Sequence, residues 1–310
     1  MKGVVIKSTG SLCQVLCSDK IIYSCKIKGN TRLKNIEFTN PIAVGDYVEF
    51  SFDSQNKIGI ITQINDRKNY IIRKSVNLSH KSQIIASNID LAVLVITIDN
   101  PITSLNFIDR FLVQAEAYKI ESKLIFNKID LHDSKMDAKK KKYQSIYKNI
   151  GYETISTSIY DTKNIIRIKN ILKNKVTVFS GHSGVGKSSL INLIDPNLKL
   201  KTQDISVYHK QGVHTTTYAE MFSIQSGGYI IDTPGIRGLG LVDLDKRGLA
   251  GYFPEMLEAS KLCKFKNCIH INEPNCGVIS GLTNNTISSS RYKSYLSMLE
   301  KNTNYRQNNY

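Results

Sequence analysis

The order in which three nucleotide-binding signatures run along the chain constrains its fold more than any other feature. Asn127-Lys128-Ile129-Asp130 comes first, Gly181-His182-Ser183-Gly184-Val185-Gly186-Lys187-Ser188 second and Asp232-Thr233-Pro234-Gly235 last. In a conventional guanine-nucleotide site the phosphate loop leads, the Asp-x-x-Gly switch follows and Asn-Lys-x-Asp closes the set. The same parts stand here in circularly permuted order, and the chain must fold so that they meet.

Each part has its own chemistry. Gly181 to Ser188 fits G-x-x-x-x-G-K-[ST]: glycines let successive backbone N–H groups face the phosphates, Lys187 neutralises the β and γ oxygens, and Ser188 ligates Mg²⁺. Val176 to Phe179 reads as a buried strand entering the loop, and Ser189 to Ile194 as a helix whose N-terminal dipole faces the anion. In Asn-Lys-x-Asp, the Asp130 carboxylate accepts two hydrogen bonds from guanine N1–H and N2–H₂, which adenine cannot donate. The Asn127 amide is expected to read the far edge of the base and the Lys128 stem to cover its face. Asp232 follows the apolar run Tyr229 to Ile231, where it can hold the Mg²⁺ shell through water, and Gly235 offers an N–H to the γ-phosphate. Between loop and switch lies Gln211-Gly212-Val213-His214-Thr215-Thr216-Thr217, the place for a first switch whose threonine completes the Mg²⁺ shell. The sequence leaves open which of these threonines does so, with the middle one, Thr216, as the candidate.

A second constellation is Cys263-x₄-Cys268-x-His270-x₅-Cys276. Three thiolates and an imidazole make a closed tetrahedral shell, the structural type of zinc site, and the spacing predicts one zinc ion. Cys13, Cys17 and Cys25 lie on short apolar stretches without partners at ligand spacing and read as small buried hydrophobes.

Residues 1–68 read as five short strands, Gly3 to Lys7, Leu12 to Cys17, Ile21 to Ile27, Tyr47 to Phe52 and Ile58 to Ile64, which bury their faces most economically as a small closed barrel. Lys20, Lys26, Lys28, Arg32 and Lys34 lie on and around its third strand, as a phosphate-facing surface or as ordinary solvated charge. From 69 to 240 strands alternate with helices. Ile89 to Ile98 is a continuous apolar strand, and Leu105, Ile108, Phe111, Leu112 and Ala115 recur at helical spacing behind a cap at Thr103 or Ser104. Leu124 to Phe126 is a strand, Ser134 to Asn149 a lysine-rich helix, and Tyr152 to Ile155 a strand ending at Ser156-Thr157-Ser158, where Ser156 opens a further guanine-contacting loop. The pattern is a doubly wound α/β sheet with its ligand at the carboxyl ends of the strands. Residues 241–310 remain as a third unit around the candidate zinc ligands, expected to be mainly α-helical. From about Ser297 onward the Asn, Gln and Tyr content reads as a frayed tail.

With 42 Lys and Arg against 26 Asp and Glu, a net charge of +16 suits a polyanionic partner such as nucleic acid. The longest apolar run, Leu91 to Ile98, is too short to span a bilayer, and Ser8-Thr9-Gly10-Ser11 breaks any secretion core, so a cytoplasmic protein without membrane or disulfides is expected.

On these motifs the chain resembles the circularly permuted, ribosome small-subunit-dependent GTPases of bacteria. The resemblance rests on Asn127 to Asp130, Gly181 to Asn192, His214 to Thr217, Asp232 to Ile236 and the four zinc ligands, and covers almost the whole length. It implies an oligonucleotide-binding barrel (OB-fold), a permuted GTPase domain and a C-terminal zinc domain. It also implies a monomer that takes GTP with magnesium, releases GDP, and binds the maturing small (30S) subunit through its 16S rRNA late in assembly. Catalytic work falls to Lys187, Asp232 and His214. Many GTPases carry a glutamine just after the switch glycine to orient the attacking water, but Ile236 stands there, so intrinsic hydrolysis is expected to be slow. Either His214 or a group of the subunit then positions the water. The alternative reading is a zinc-stabilised RNA-binding scaffold that holds guanine nucleotide without turnover. In the permuted order the chain passes from the second switch through Gly235 to Gly240 directly into the zinc domain, which is expected to couple nucleotide state to that domain's orientation.

Overall fold

A computed structural model describes residues 1–9, 12–27, 40–74, 82–200, 219–232 and 246–307. The first five strands are β1 (Lys2–Ser8), β2 (Leu12–Cys17), β3 (Ile22–Ile27), β4 (Tyr47–Asp53) and β5 (Ile58–Ile64). They pair in the order β1-β2-β3-β5-β4, and β4 returns to β1 through Lys2↔Glu49, Gly3↔Val48 and Val4↔Tyr47, so the sheet closes. Closure removes the edges that an open five-stranded sheet would expose. Alternation along β2 turns Cys13, Val15 and Cys17 inward, where they pack with Val5, Cys25, Val48, Phe50 and Ile61. The three barrel cysteines are thus buried core residues, as their apolar setting in the sequence predicts.

Between the barrel and the α/β unit stands a hairpin that the sequence pattern did not disclose, β6 (Tyr70–Lys74) with β7 (Ser82–Ser87). It is tied back to the barrel by Asp46, whose buried carboxylate accepts hydrogen bonds from Arg67 Nε at 2.7 Å, Arg67 Nη2 at 2.7 Å and Ser87 Oγ at 2.6 Å. Pairing Asp46 with a guanidinium and a hydroxyl offsets the cost of desolvating its charge.

The α/β unit runs β8 (Leu91–Ile96), α1 (Leu105–Ala117), β9 (Glu121–Phe126), α2 (Ser134–Lys148), β10 (Glu153–Ser156), α3 (Thr162–Leu172), β11 (Val176–Ser180), α4 (Lys187–Ile194), β12 (Glu220–Ser223) and β13 (Tyr229–Asp232). Its strands lie in the order β10-β9-β8-β11-β13-β12, parallel except for the edge strand β12. Every residue of β8 is buried, because helices cover both faces. Ala92, Leu94 and Ile96 pack with Ile108, Phe111 and Leu112 of α1, while Leu91, Val93 and Val95 pack with Ile165 and Ile168 of α3 and Leu190 and Ile191 of α4. The cap of α1 is Ser104, whose side chain accepts the Phe107 N–H, whereas Thr103 Oγ1 accepts from Thr97 N at 3.2 Å. Edge strand β12 meets barrel strand β1 at Lys7↔Glu220, where Lys7 Nζ lies 3.1 Å from Glu220 Oε2.

The C-terminal unit contains α5 (Pro254–Ser260), α6 (Gly277–Thr283) and α7 (Ser289–Gln307). Its core joins Leu249, Phe253, Met256, Val278, Ile287 and Tyr295 to Val113 of α1. The tail expected from Ser297 is corrected: α7 continues to Gln307 and buries Met298 and Leu299. Composition misled there because two apolar contacts on one helical face anchor an otherwise polar segment.

Candidate nucleotide site and metal centre

The order of the parallel strands reverses between β8 and β11, from which neighbouring strands run in opposite directions along the chain. Loops beyond the carboxyl ends at such a point leave a crevice for ligand. The phosphate loop Gly181 to Gly186 leaves β11 there. Gly181 has φ 143° and so little room that a Cβ would stand 2.5 Å from the Val95 carbonyl oxygen of β8. Gly186 has φ 90°, and a Cβ there would stand 2.5 Å from Asn127 Nδ2. Both positions therefore require glycine, one for the sheet and one for the base motif.

Asn127 is 2% exposed, and its Nδ2 donates to Val185 O at 2.9 Å. One N–H of the amide thus ties the base motif to the phosphate loop, which leaves its second N–H and its oxygen for other partners. Lys128 takes the left-handed backbone conformation at φ 60°, and its Nζ donates to Asn100 O at 2.9 Å. Ile129 begins a short 3₁₀ turn on which Asp130 is exposed. The loop after β10 lies alongside, with Thr157 N donating to Phe126 O at 2.8 Å and Ile129 N to Thr157 O at 3.3 Å. The Ser156 hydroxyl accepts from Gln144 Nε2 of α2 at 3.1 Å. Buried Thr157 and Ser158 are the members of that loop set against the base motif.

Lys187 opens α4, and its Nζ donates to Gly181 O and His182 O, both at 2.7 Å. Burial pushes its ammonium down to about 8, and nearby Asp232 at the end of β13 partly offsets this. A desolvated cation beside two carbonyls gains most from an arriving polyanion, which favours its charged form. Ser188 is the next residue, at the N-terminus of α4, where backbone dipoles favour phosphate. The hydroxyl of Ser188 and the carboxylate of Asp232 are a hard oxygen donor set that fits Mg²⁺. Ser183 is exposed at the loop tip, Gly184 takes φ 82° and Val185 is buried beneath it. His214, Thr216, Gly235, Ile236 and the stretch to Gly240 lie outside the described residues.

The four predicted metal ligands converge. Their donor atoms all lie within 4.8 Å of one another, with Cys263 Sγ 3.9 Å from Cys276 Sγ and 3.6 Å from His270 Nδ1, and His270 Nδ1 3.4 Å from Cys276 Sγ. Ligands about 2.3 Å from a central ion stand roughly 3.7 Å apart in a tetrahedron, so the set fits one ion. Gly277 N donates to Cys263 Sγ at 3.3 Å, the bond a thiolate would accept. Without an ion, burial pushes the Cys268 thiol up to about 12 and His270 down.

Sequence reasoning missed the supports. Glu273 accepts backbone N–H bonds from Ile269 at 2.6 Å, Ile271 at 2.8 Å and Asn272 at 3.1 Å, which holds its carboxyl down at about 2 and shapes the turn that presents His270. A carboxylate inside the x₅ spacing was the only available signal. Arg291 of α7 is 1% exposed and bonds Asp109 of α1 at 2.9 Å and Glu255 of α5 at 2.7 Å. The ring of Phe107 stacks on His182 at 4.0 Å between centroids. Neither contact has a local sequence signature.

A family model described as RsgA GTPase matches residues 64–242, and one described as RsgA N-terminal domain matches residues 2–61. A curated relative from Flavobacterium psychrophilum, named small ribosomal subunit biogenesis GTPase RsgA, is 54% identical over 302 residues, covering 97% of this chain and 93% of the relative. One of the same name from Bacteroides fragilis is 50% identical over 300 residues, covering 97% and 96%. Among solved structures, YjeQ from Thermotoga maritima is 34% identical with a TM-score of 0.78, covering 97% of each chain. YloQ, described as a circularly permuted GTPase, is 30% identical with a TM-score of 0.76, covering 98% of this chain and 95% of the other.

Proposed function

Because the chain belongs to the RsgA GTPase family, and so is a GTP-hydrolysing enzyme, we propose that it acts in biogenesis of the small ribosomal subunit, as its curated relatives are named for doing. Membership in a GTPase family favours turnover over the alternative of a scaffold that merely holds nucleotide. The observation that carries the reading is the bond from Asn127 to Val185, which joins the base motif to a phosphate loop 58 residues later in the chain. Motifs that had met by accident in the sequence would have no reason to meet in space.

In this reading Asp130 selects guanine through N1–H and N2–H₂, the Asn127 amide reads the far edge of the base, the Lys128 stem covers its face, and the loop of Ser156, Thr157 and Ser158 backs it. Gly181 to Gly186 present N–H groups to the phosphates while Lys187 neutralises them. Ser188, Asp232 and Thr216 would hold Mg²⁺, which when bound draws charge from the phosphate oxygens. His214 orients the attacking water, a task that Ile236 cannot perform. Cys263, Cys268, His270 and Cys276 hold zinc, the metal that favours a closed set of three thiolates and an imidazole.

The units are assigned as 1–68, 69–240 and 241–310. The barrel, with Lys20 and Lys26 exposed on it, faces 16S rRNA. No helix among the described residues is long and apolar enough to cross a membrane, and a cytoplasmic monomer that docks on the subunit agrees with the charge of +16. GTP turnover with and without purified small subunits is the test. Stimulation on the order of tenfold, the scale of one positioned catalytic group, supports the reading. Equal stimulation by large subunits overturns the partner.

A further inference from the structure

We propose that helix α1 transmits the position of the C-terminal helical unit to the phosphate loop, with Phe107 as the residue that positions the loop through His182. This rests on the reading of the chain as a subunit-stimulated GTPase and names the route by which a docked C-terminal unit reaches the nucleotide.

The route is made of contacts on both sides of one helix, half-buried at Phe107 and fully buried at Asp109. Phe107 stacks on His182 of the phosphate loop, with ring planes 29° apart. Two residues on, on the opposite face, Asp109 is fully buried and accepts from Arg291 Nη1 of α7 at 2.9 Å and from the Tyr147 hydroxyl of α2 at 2.8 Å. The Arg291 guanidinium is itself forked onto Glu255 of α5, at 2.7 and 3.1 Å, and lies 4.5 Å from the Phe253 ring centroid. Val113, one turn further along α1, belongs to the core of the C-terminal unit.

Three physical facts make this arrangement a transmitter. A charge pair this buried cannot slide without leaving an unpaired charge in a dry interior, so α7 and α1 move together. Phe107 and Asp109 are about 3 Å apart along the helix axis, within one hydrogen-bonded turn, so a displacement imposed at Asp109 arrives at Phe107 undiminished. His182 lies next to Gly181, whose lack of a side chain lets the loop press on the Val95 carbonyl, so the loop is held by the sheet at Gly181 and by the Phe107 ring at His182. In the usual phosphate loop the following helix and the preceding strand suffice. Here a third element, fastened to a separate unit, bears on it.

The test uses the full-length, metal-loaded protein. The kcat and KM for GTP are measured with saturating small subunits for wild type, Phe107→Ala, Phe107→Tyr, Arg291→Lys and the Phe107→Ala/Arg291→Lys double variant. Phe107→Ala is expected to lower stimulated kcat on the order of tenfold while KM changes less than about threefold, and Phe107→Tyr, which keeps the ring, restores it. Arg291→Lys loses a similar part of the stimulation, and the double variant is no worse than the worse single one, because both cut one path. Losses that multiply, a Phe107→Ala enzyme stimulated like wild type, or a Phe107→Tyr enzyme as poor as Phe107→Ala each overturn the proposal. Should Arg291→Lys lose its metal or its cooperative unfolding, Asp109→Asn takes its place in the cycle.

A second arm needs no ribosome. The chain has no tryptophan, so Phe107→Trp places a single emission signal against His182. Its response to a non-hydrolysable GTP analogue should change when Asp109→Asn is added. An identical response overturns the transmission. If wild type shows no stimulation by subunits yet this response does change, the functional reading falls and the transmission stands.

Discussion

The nucleotide site and the metal cluster are both assembled from polar side chains, but over different reaches of chain. Cys263 and Cys276 are 13 residues apart, and Glu273 between the ligands shapes the turn that joins them. Asn127 and Val185 are 58 apart, and the strands that carry their loops meet only within the finished sheet. The cluster is thus a local device that a metal can close, and the nucleotide site is a property of the whole α/β unit. The two should fail differently.

Metal removal is expected to have the largest effect. Structural zinc contributes on the order of 10 kcal/mol to units of this kind, so chelation should unfold the chain after about residue 245 while guanine nucleotide still binds. Circular dichroism together with nucleotide titration checks this, and Cys268→Ser should reproduce the chelated state. Loss of nucleotide binding on chelation would erase the contrast between the two sites.

Next comes the joint between them. Arg291→Met leaves the Asp109 carboxylate buried without its cation, at a cost of about 3–5 kcal/mol in urea unfolding. A cost below about 1 kcal/mol would mean that α7 is not fastened to α1.

Asp130→Asn acts on the nucleotide site alone. An amide in place of the carboxylate loses one acceptor and gains a donor, so GTP affinity should fall on the order of a hundredfold, about 3 kcal/mol, and xanthine nucleotide should bind instead. Thermal stability and metal content should not change, and unchanged GTP affinity would remove Asp130 from the base.

The smallest effect comes from cysteines that are not ligands. In the barrel, burial pushes Cys13 up to about 12 and Cys25 up to about 11, against an ordinary thiol value of 9.0. Folded values above unfolded ones mean that this contribution is complete below about pH 9 and is lost as pH rises through the window to about 12. The free energy of urea unfolding of the metal-loaded protein should therefore hold to about pH 9 and then fall, by about 1 kcal/mol per thiol near pH 10. An unchanged midpoint at pH 11 would show that these thiols ionise in place.

Much of this was legible before any coordinates. The five barrel strands fall where short alternating runs predict them, and the four metal ligands converge as their spacing requires. The hairpin of β6 and β7 was not legible, because its strands take their place by pairing with each other and by Asp46 reaching Ser87 from 41 residues away. The bond from Asn127 to Val185 was not legible either, since the motif does not say how close the phosphate loop will come. The helix that runs past Ser297 was hidden by its polar composition, since Met298 and Leu299 only acquire partners once α7 packs.

The sequence by itself determined which groups could do chemistry here: a base-reading carboxylate, a phosphate loop with its lysine, a magnesium-holding pair and a Cys₃His set. These depend on residue type and short spacing, which are properties of the covalent chain. Only the tertiary structure decided that Asn127 holds the phosphate loop, that Ser156 faces Gln144, and that Phe107 and Asp109 bear on different units from opposite sides of one helix. Contacts of that kind join residues tens to hundreds of positions apart, and they are set by the order of strands in a sheet and the packing of helices on its faces.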